Sequence, residues 1–341
     1  MADTRYTQTA HLSDGHSKGI TSVSFNPNGS LLATAGLDGT ICIWNTTSWS
    51  TVDIYYSKDA ATSLVWYSNS VLVCGLQNGI LSTVIKDREN WTHVSGFWAH
   101  LFPVEHLAVR DTLLASGAHR ELSIWTWDPQ SASSSLLWGI KPPCDSDPNV
   151  DGNDEETLVT GVFWTSSSLI TTWLHHGSIM ASGTRHACAR LCPSNQYLYI
   201  PSLSPNGTRL AVSNLVAGFD IYDLNDGKIV CSFTHDIGNE ERATPVLFIH
   251  DGHAILGGSV VGYVNLWFVD SGIRLEPLHI PSEFIVVTCM CSRLPCMQAK
   301  RRCWLLRQVT PTLVRPIPYT DRWTRLTMTH LPTSSSLSRP S

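Results

Sequence analysis

The chain has 341 residues, of which 43% are hydrophobic and only 15% charged, and this composition excludes a largely disordered protein. The first residues, 1–5, lack the apolar core of a secretory signal, and no apolar run approaches the roughly 20 residues of a membrane span. We therefore expect an intracellular protein, in the cytoplasm or alternatively in the nucleus, whose ten cysteines are free thiols.

The net charge of −5 is distributed unevenly along the chain. Residues 1–283 contain 14 Lys and Arg against 27 Asp and Glu, a balance of −13, whereas residues 284–341 contain nine basic residues and one acid, a balance of +8. Because each contact with a phosphate group needs a cation, the acidic part of the chain is poorly suited to nucleic acids. We expect protein or peptide partners rather than a membrane or a nucleic acid.

A repeated pattern of short strands and tight turns begins near residue 16. Its first unit has apolar and β-branched runs at 20–25, 31–35, 40–44 and 51–55, separated by turns rich in Asn, Pro, Asp and Gly. Runs of this length and composition between such turns are typical of antiparallel strands joined in hairpins.

The same pattern returns five times, at a spacing of about 40–50 residues, which is expected of four-stranded propeller blades. Units two and four are the least regular. The runs of units two to six are 61–66, 71–75 and 80–85; 104–109, 113–117 and 122–127; 158–164, 169–173 and 178–182; 198–203, 210–213 and 219–224; and 246–249, 254–258 and 263–268.

Short motifs within these units resemble those of WD40 repeats, with their Gly-His, Asp-Gly-Thr and Trp-Asp signatures. Trp125, Tyr222-Asp223 and Trp267 occupy the place of the Trp-Asp pair in units three, five and six. The resemblance implies an all-β, WD40-type β-propeller with six recognisable blades. The motifs of unit one that carry it are Gly15-His16, Asp38-Gly39-Thr40 and Trp44-Asn45.

The resemblance also implies a buried hydrogen-bonded group in unit one, formed by His16, Thr34, Asp38 and Trp44. A buried polar group of this kind stabilises a blade only when every member has its hydrogen-bond partner. We interpret these four residues as structural rather than catalytic.

The end of the chain fits the repeat poorly. WD40 propellers usually close with seven blades, the N-terminal strand completing the last one, and residues 7–12 and 284–288 are candidates for two strands of a seventh blade. Neither an Asp-Gly turn nor a Trp-Asp pair follows, and the Ser- and Pro-rich end favours disorder. We predict a propeller at 1–283 and, at 284–341, a degenerate or incomplete seventh blade or a basic, partly disordered tail.

Two segments match catalytic or metal-binding patterns only in part. The Gly-x-Ser-x-Gly match at 15–19 lacks the preceding strand and following helix of a nucleophile elbow. The run 147–152 begins like a calcium-binding loop, but Leu158 stands where a Glu should close the shell. We interpret both segments as ordinary loops.

Clusters of His and Cys and one basic cluster offer three further weak candidates. Structural zinc sites usually show two paired sets of ligands, which both cysteine groups lack, and three basic residues beside one aromatic are more often a solvated tail. We predict no metal, no cofactor and no catalytic residue. The residues considered are His175, His176, His186, Cys188 and Cys192; Cys289, Cys291, Cys296 and Cys303; and Lys300-Arg301-Arg302 with Trp304.

In WD-repeat proteins, partners most often contact the face formed by the loops that enter each blade and by the turns between second and third strands. Arg and aromatic residues are favoured at binding hot spots. The resemblance therefore predicts a protein-interaction scaffold or adaptor that acts through a propeller face and is not an enzyme. It places on this face Lys18, Lys58, Gln77, Phe102, Arg120, His175 and Arg242.

Two alternatives of other classes stay open. A substrate receptor of a ubiquitin ligase would carry Arg or Lys shortly after the Trp-Asp pair, but Thr-Thr-Ser-Trp follows Trp44-Asn45. A propeller hydrolase would need converging carboxylates or a Ser/His pair in a pocket.

Overall fold

The computed structural model describes residues 10–12, 15–88, 90–128, 133–140, 158–174, 177–182, 188–190, 199–214, 218–234, 244–259, 263–279, 289–290 and 304–305. Within these residues the chain is built of short strands, with one 3₁₀ turn at His250–Gly252. The predicted all-β class is confirmed.

The strands follow one another in chain order. The first twelve are β1 Ile20–Phe25, β2 Leu31–Gly36, β3 Thr40–Asn45, β4 Thr51–Tyr56, β5 Ala61–Ser68, β6 Val71–Leu76, β7 Ile80–Asp87, β8 Asn90–Trp98, β9 His106–Arg110, β10 Leu113–Ala118, β11 Glu121–Asp128 and β12 Ser133–Ile140. The others are β13 Val159–Trp164, β14 Ser168–Trp173, β15 Gly177–Ser182, β16 Cys188–Arg190, β17 Tyr199–Leu203, β18 Arg209–Asn214, β19 Gly218–Asp223, β20 Ile229–Thr234, β21 Val246–Ile249, β22 Ala254–Gly258, β23 Tyr263–Phe268, β24 Leu278–His279, β25 Cys289–Met290 and β26 Trp304–Leu305.

Each run of four consecutive strands from β1 to β24 forms one antiparallel sheet, hydrogen-bonded in chain order. We number these sheets 1 to 6, so that sheet 1 is β1–β4 and sheet 6 is β21–β24. Each predicted unit corresponds to one sheet, and this includes the irregular units two and four. Consecutive tight hairpins produce this order because an antiparallel pair needs only a short connection.

The first strand of each sheet lies beside the first strand of the next, which arranges the sheets as a β-propeller around these inner strands. The Thr21 hydroxyl in β1 donates to the carbonyl of Ala61 in β5 at 2.5 Å, and Trp66 Nε1 in β5 donates to the carbonyl of Ser24 at 2.8 Å. Residue numbers rise together in the two strands, so β1 and β5 run parallel. Corresponding loops of neighbouring sheets therefore lie on the same face.

Apolar side chains fill the space between successive sheets, because a strand alternates its side chains between two faces. Five clusters of buried residues each join two neighbouring sheets. Pairs that share a cluster across each of the five junctions are Ile41 and Leu72, Leu81 and Leu114, Leu122 and Leu169, Ile170 and Leu210, and Ile221 and Ile255.

The outward faces of sheets 1 and 6 are also apolar. Leu32 and Trp44 form a cluster on sheet 1 against which Leu12 packs, and Leu256 and Leu266 belong to a cluster on sheet 6. Strand β25, paired with β26, contacts both β1 and β21. It therefore lies between the inner strands of sheets 1 and 6.

The expected seventh blade is tested only in small part. Residues 10–12, the described end of the predicted N-terminal strand, do not form a strand, and residues 7–9 and 284–288 lie outside the described residues. The boundary at 283 and the seventh blade at 284–341 stay predictions.

Four outer strands carry a β-bulge at the same place, where one extra residue interrupts the pairing with the third strand. The extra residue is aliphatic in each case: Val52 in β4, Val94 in β8, Leu137 in β12 and Val230 in β20. A bulge bends the strand and leaves part of its backbone unpaired, so these edges depart from regular strand geometry.

Removal of residues 284–341 should lower the melting temperature and broaden the unfolding transition, because β25 lies against both sheet 1 and sheet 6. Each buried aliphatic side chain of these two sheets that the removal exposes would cost roughly 1.5–3 kcal/mol. Thermal unfolding and limited proteolysis of the full chain and of residues 1–283 measure this loss. Equal melting temperatures and an equally resistant core would show that the segment is dispensable.

Candidate functional site

The five described residues of the predicted binding face share one face of the propeller. Lys18 precedes β1, Lys58 lies between β4 and β5, and Phe102 lies between β8 and β9. Gln77 and Arg120 lie in turns between second and third strands, which end at the same edge of their sheets. All five are exposed. We call this surface the loop face.

Two predicted members of this face, His175 and Arg242, lie outside the described residues. The Gly-x-Ser-x-Gly match at 15–19 lies in the loop before β1, with a strand and no helix after it.

The four residues singled out in unit one are joined by hydrogen bonds beneath the loop face. Trp44 Nε1 donates to the Thr34 hydroxyl at 3.0 Å, and this hydroxyl lies 2.7 Å from His16 Nε2. His16 Nδ1 lies 3.4 Å from Asp38 Oδ1 and 2.7 Å from the hydroxyl of Thr40, which in turn donates to Asp38 at 2.5 Å. A neutral imidazole that accepts at Nε2 and donates at Nδ1 satisfies every member.

This chain of hydrogen bonds ties the loop before β1 to sheet 1. The amide of Ser17 donates to Asp38 Oδ2 at 2.5 Å, so the carboxylate holds loop and turn together. Burial alone would raise the pKa of Asp38, but the bonds from Thr40 and Ser17 outweigh it and hold that pKa well below its usual range. Burial lowers the pKa of His16, although the hydrogen bond with Asp38 and its negative charge act to raise it. The neutral ring is therefore favoured.

Sheet 3 contains a second such group, which the sequence analysis missed. Trp125 Nε1 donates to the Ser116 hydroxyl at 2.8 Å, and that hydroxyl lies 2.7 Å from His100 Nε2. His100 Nδ1 lies 2.9 Å from Glu121 Oε2, and the amide of Leu101 donates to the same oxygen at 3.3 Å. The group ties the loop before β9 to sheet 3.

Glu121 takes the role in sheet 3 that Asp38 has in sheet 1, since its carboxylate lies beside the histidine and accepts a hydrogen bond from the amide of the next residue. The turn between β10 and β11 has only two residues, His119 and Arg120, one fewer than the turn between β2 and β3 that contains Asp38. The longer Glu side chain at the first position of β11, where Thr40 stands in β3, reaches the histidine instead. The signal in the sequence was the order His100, Ser116, Trp125, which parallels the order in unit one.

A third histidine links sheet 3 to sheet 4. His106, at the start of inner strand β9, has its pKa lowered to about 4 by burial, although a hydrogen bond with the Val159 backbone opposes this shift. Two further contacts join sheet 4 to sheet 3. Trp164 Nε1 in β13 donates to the carbonyl of Ala108 in β9 at 3.1 Å, and the Arg110 guanidinium lies 4.3 Å from the Trp164 ring centre.

The described residues contain no group of three or more His, Cys, Asp or Glu side chains arranged to hold a metal ion. Of the predicted candidates, Cys188 and Cys289 lie in β16 and β25, Trp304 lies in β26, and the others lie outside the described residues. Cys42 and Cys74 are buried free thiols, and burial raises the pKa of Cys42 to about 11, which keeps it protonated. Such thiols are poor nucleophiles and poor metal ligands.

Replacement of Ser116 by Ala should destabilise the fold, because His100 Nε2 and Trp125 Nε1 both lose their partner. Each buried polar atom left without a hydrogen bond costs about 1–3 kcal/mol. Urea unfolding measures the loss. Ser123→Ala is the matched control, since the hydroxyl of this serine on the adjacent strand makes no hydrogen bond within the described part of the chain. An equally small effect of both changes would contradict a structural role for the group.

Stability should fall as the pH drops through the interval from about 6.5, the ordinary pKa of His106, to about 4, its pKa in the fold. The unfolded chain takes up protons in this interval that buried His16, His100 and His106 resist, so unfolding is favoured as the pH falls and the stability is fully present only above it. The limiting slope is about 1.4 kcal/mol per pH unit for each histidine.

Urea unfolding across this pH interval measures the slope. His106→Gln should flatten it, whereas replacement of the exposed His11 by Gln should not. A slope unchanged by His106→Gln would contradict the assignment.

Comparison with known proteins agrees with the fold. The family model of the WD domain, G-beta repeat, matches residues 7–45. The chain is 23% identical over 296 residues to the Periodic tryptophan protein 2 homolog of Dictyostelium discoideum, an alignment that covers 79% of this chain and 30% of that protein. The chain thus spans less than a third of that relative's length.

In the part of the chain that the structure describes, no helix is long and apolar enough to cross a membrane. The matched repeat and the successive four-stranded sheets around a set of inner strands show a β-propeller fold that contains a sequence similar to a WD40 repeat at residues 7–45.

Proposed function

We propose that this protein is an interaction scaffold that binds a partner protein through the loop face, without catalysis of its own. The observation that carries this proposal is the exposure of Lys18, Lys58, Gln77, Phe102 and Arg120 on a single face. Loops held by a rigid scaffold are the usual place for binding residues.

The two buried hydrogen-bonded groups support this proposal, because both lie directly beneath the loop face. They fix the loops that carry Lys18 and Phe102 through the amides of Ser17 and Leu101. A loop that is already ordered loses less conformational entropy when a partner binds.

The same geometry argues against catalysis by the group in sheet 1. Thr34, His16 and Asp38 have the order hydroxyl, imidazole and carboxylate that nucleophilic enzymes use. The Thr34 residue is only 1% exposed, however, and its hydroxyl already accepts a hydrogen bond from Trp44. A substrate therefore has no access to it.

The charge of the loop face favours a partner with an acidic surface. Three of its five described residues are cations, whereas residues 1–283 as a whole carry a balance of −13. Complementary charges speed association and select the partner.

A charge reversal on this face should weaken capture of the partner. Affinity purification of the full chain from cell extract, with quantitative mass spectrometry, identifies proteins that bind. The double variant Lys58→Glu/Arg120→Glu should bind the purified partner about tenfold more weakly than the wild type, since 1.4 kcal/mol is lost across two charges.

The matched control is Arg88→Glu/Lys228→Glu, which changes two exposed cations at turns between third and fourth strands, on the opposite face. Partner binding that both variants retain equally, or that only the control loses, would overturn the proposal for the loop face.

A further inference from the structure

Three large apolar side chains are exposed where sheet 2 joins sheet 3, Trp98 at the end of β8 and Leu101 and Phe102 in the loop that follows. Trp98 is 67% exposed, Leu101 69% and Phe102 38%. Single exposed apolar residues are common on protein surfaces, but a group of them within five residues marks a site of interaction. We call Trp98, Leu101 and Phe102 the loop patch.

The loop that carries the patch is held at both ends. The carbonyl of Gly79 accepts hydrogen bonds from the amides of Ala99 at 3.0 Å and His100 at 3.1 Å, and the carbonyl of Leu76 accepts one from Val104 at 3.2 Å. Gly79 has a φ of +82°, and a Cβ there would lie 1.9 Å from the His100 carbonyl oxygen. The close approach of the loop to this turn therefore needs a glycine.

The middle of the loop is fixed as well. The His100 side chain is buried in the hydrogen-bonded group of sheet 3, so it acts as an anchor beneath its exposed neighbour Leu101. The Phe102 ring stacks on His119, with ring centres 4.4 Å apart and planes 20° from parallel. The apolar residues thus stand on a framework that is ordered before any partner arrives, which lowers the entropic cost of binding.

A cation lies beside this patch. Arg120 follows His119 in the two-residue turn between β10 and β11 and is exposed. The carboxylate of Glu121 is already engaged by His100 and by the Leu101 amide, so it does not neutralise Arg120 by a close pair. A guanidinium in this position is suited to bind a carboxylate through two parallel hydrogen bonds.

We propose that the loop patch and Arg120 bind a linear segment of a partner protein that combines apolar side chains with an Asp or Glu. This inference rests on the proposed function of the loop face and names the chemistry of its partner. The apolar side chains of the segment cover Trp98, Leu101 and Phe102, and its carboxylate pairs with Arg120.

The charges of the protein favour such a segment over an anionic membrane. Lipid headgroups would meet Glu105, which is exposed three residues beyond Phe102, and a body with a balance of −13. A membrane surface attracts clusters of Lys and Arg, whereas the loop patch has Arg120 on one side and Glu105 close by in the chain. A peptide can place its single carboxylate on Arg120 and avoid Glu105.

The test is selection of phage-displayed random peptides on the full-length chain, followed by affinity measurement with the synthesised peptides. The enriched peptides should contain large apolar residues together with Asp or Glu. Trp98→Ser/Leu101→Ser should weaken their binding at least about tenfold. The control Leu136→Ser/Leu137→Ser removes two leucines that are exposed on outer strand β12, and should leave affinity unchanged.

A charge exchange distinguishes pairing with Arg120 from damage to the fold. Arg120→Glu should weaken binding of the acidic peptide, and replacement of the peptide's acid by Lys should restore binding to this variant only. A misfolded variant cannot recover affinity in this way. Failure of the exchange would overturn the role assigned to Arg120.

Other outcomes overturn the inference in distinct ways. Enrichment of basic peptides or of none, or affinity that Trp98→Ser/Leu101→Ser leaves unchanged, removes the loop patch as the site. If binding is instead lost in Lys18→Glu/Lys58→Glu, the loop face still binds proteins and only the patch is wrong. If neither double variant loses binding, the proposed function is contradicted as well.

Two further measurements test the other possible occupants. Co-sedimentation with vesicles of phosphatidylcholine and phosphatidylserine, abolished by Trp98→Ser/Leu101→Ser, would show that the patch binds a membrane. Self-association in sedimentation velocity, abolished by the same change, would show that it binds a second copy of the chain. Either result would overturn the peptide site.

Discussion

Each inner sheet of this protein depends on the two sheets beside it, because both of its faces are apolar. Strand β6 shows this in four consecutive residues: Leu72 and Cys74 belong to the cluster shared with sheet 1, whereas Val71 and Val73 belong to the cluster shared with sheet 3. The alternation follows from the pleat of a strand. A sheet with two apolar faces is unstable alone in water, so the sheets stabilise one another in sequence, and the outward faces of sheets 1 and 6 require a cover of their own.

Polar contacts between neighbouring inner strands fix how far each sheet is shifted along the strand direction relative to the next. Thr21 and Thr62 occupy the same place near the start of β1 and β5, and each donates to a backbone carbonyl at or just before the start of the next inner strand. His106 makes the corresponding bond with the Val159 backbone from β9. Buried backbone groups need partners, and these side chains supply them at the junctions where strand pairing does not. The histidine makes one of these junctions sensitive to pH, because its bond is made by a ring that burial keeps neutral.

The repeat could be predicted from the sequence because strand composition and turn residues recur with it. The hydrogen-bonded group in sheet 3 could not be predicted, because its turn is shorter and lacks the Asp-Gly-Thr motif. Its carboxylate comes instead from Glu121, which makes the same kind of hydrogen bonds. Trp98 and Leu101 were missed for another reason: their residue types indicate core, and only their places at the end of β8 and in the loop after it expose them. The bulges could not be predicted from composition, because the inserted residues, Val52 and Leu137 among them, are ordinary strand residues.

The outer strands bear on which surface a partner can use. β4, β8, β12 and β20 contain one formal charge among them, Asp53, and strand edges without charges tend to pair with other chains. Each of these edges is instead interrupted by a bulge, with Val52, Leu137 and Val230 among the inserted residues. The interruption removes the regular backbone pattern that an added strand would need. Backbone geometry thus disfavours strand addition at these edges, and the loop face, where large apolar side chains stand on an anchored loop, is the surface on which a partner gains most from burial.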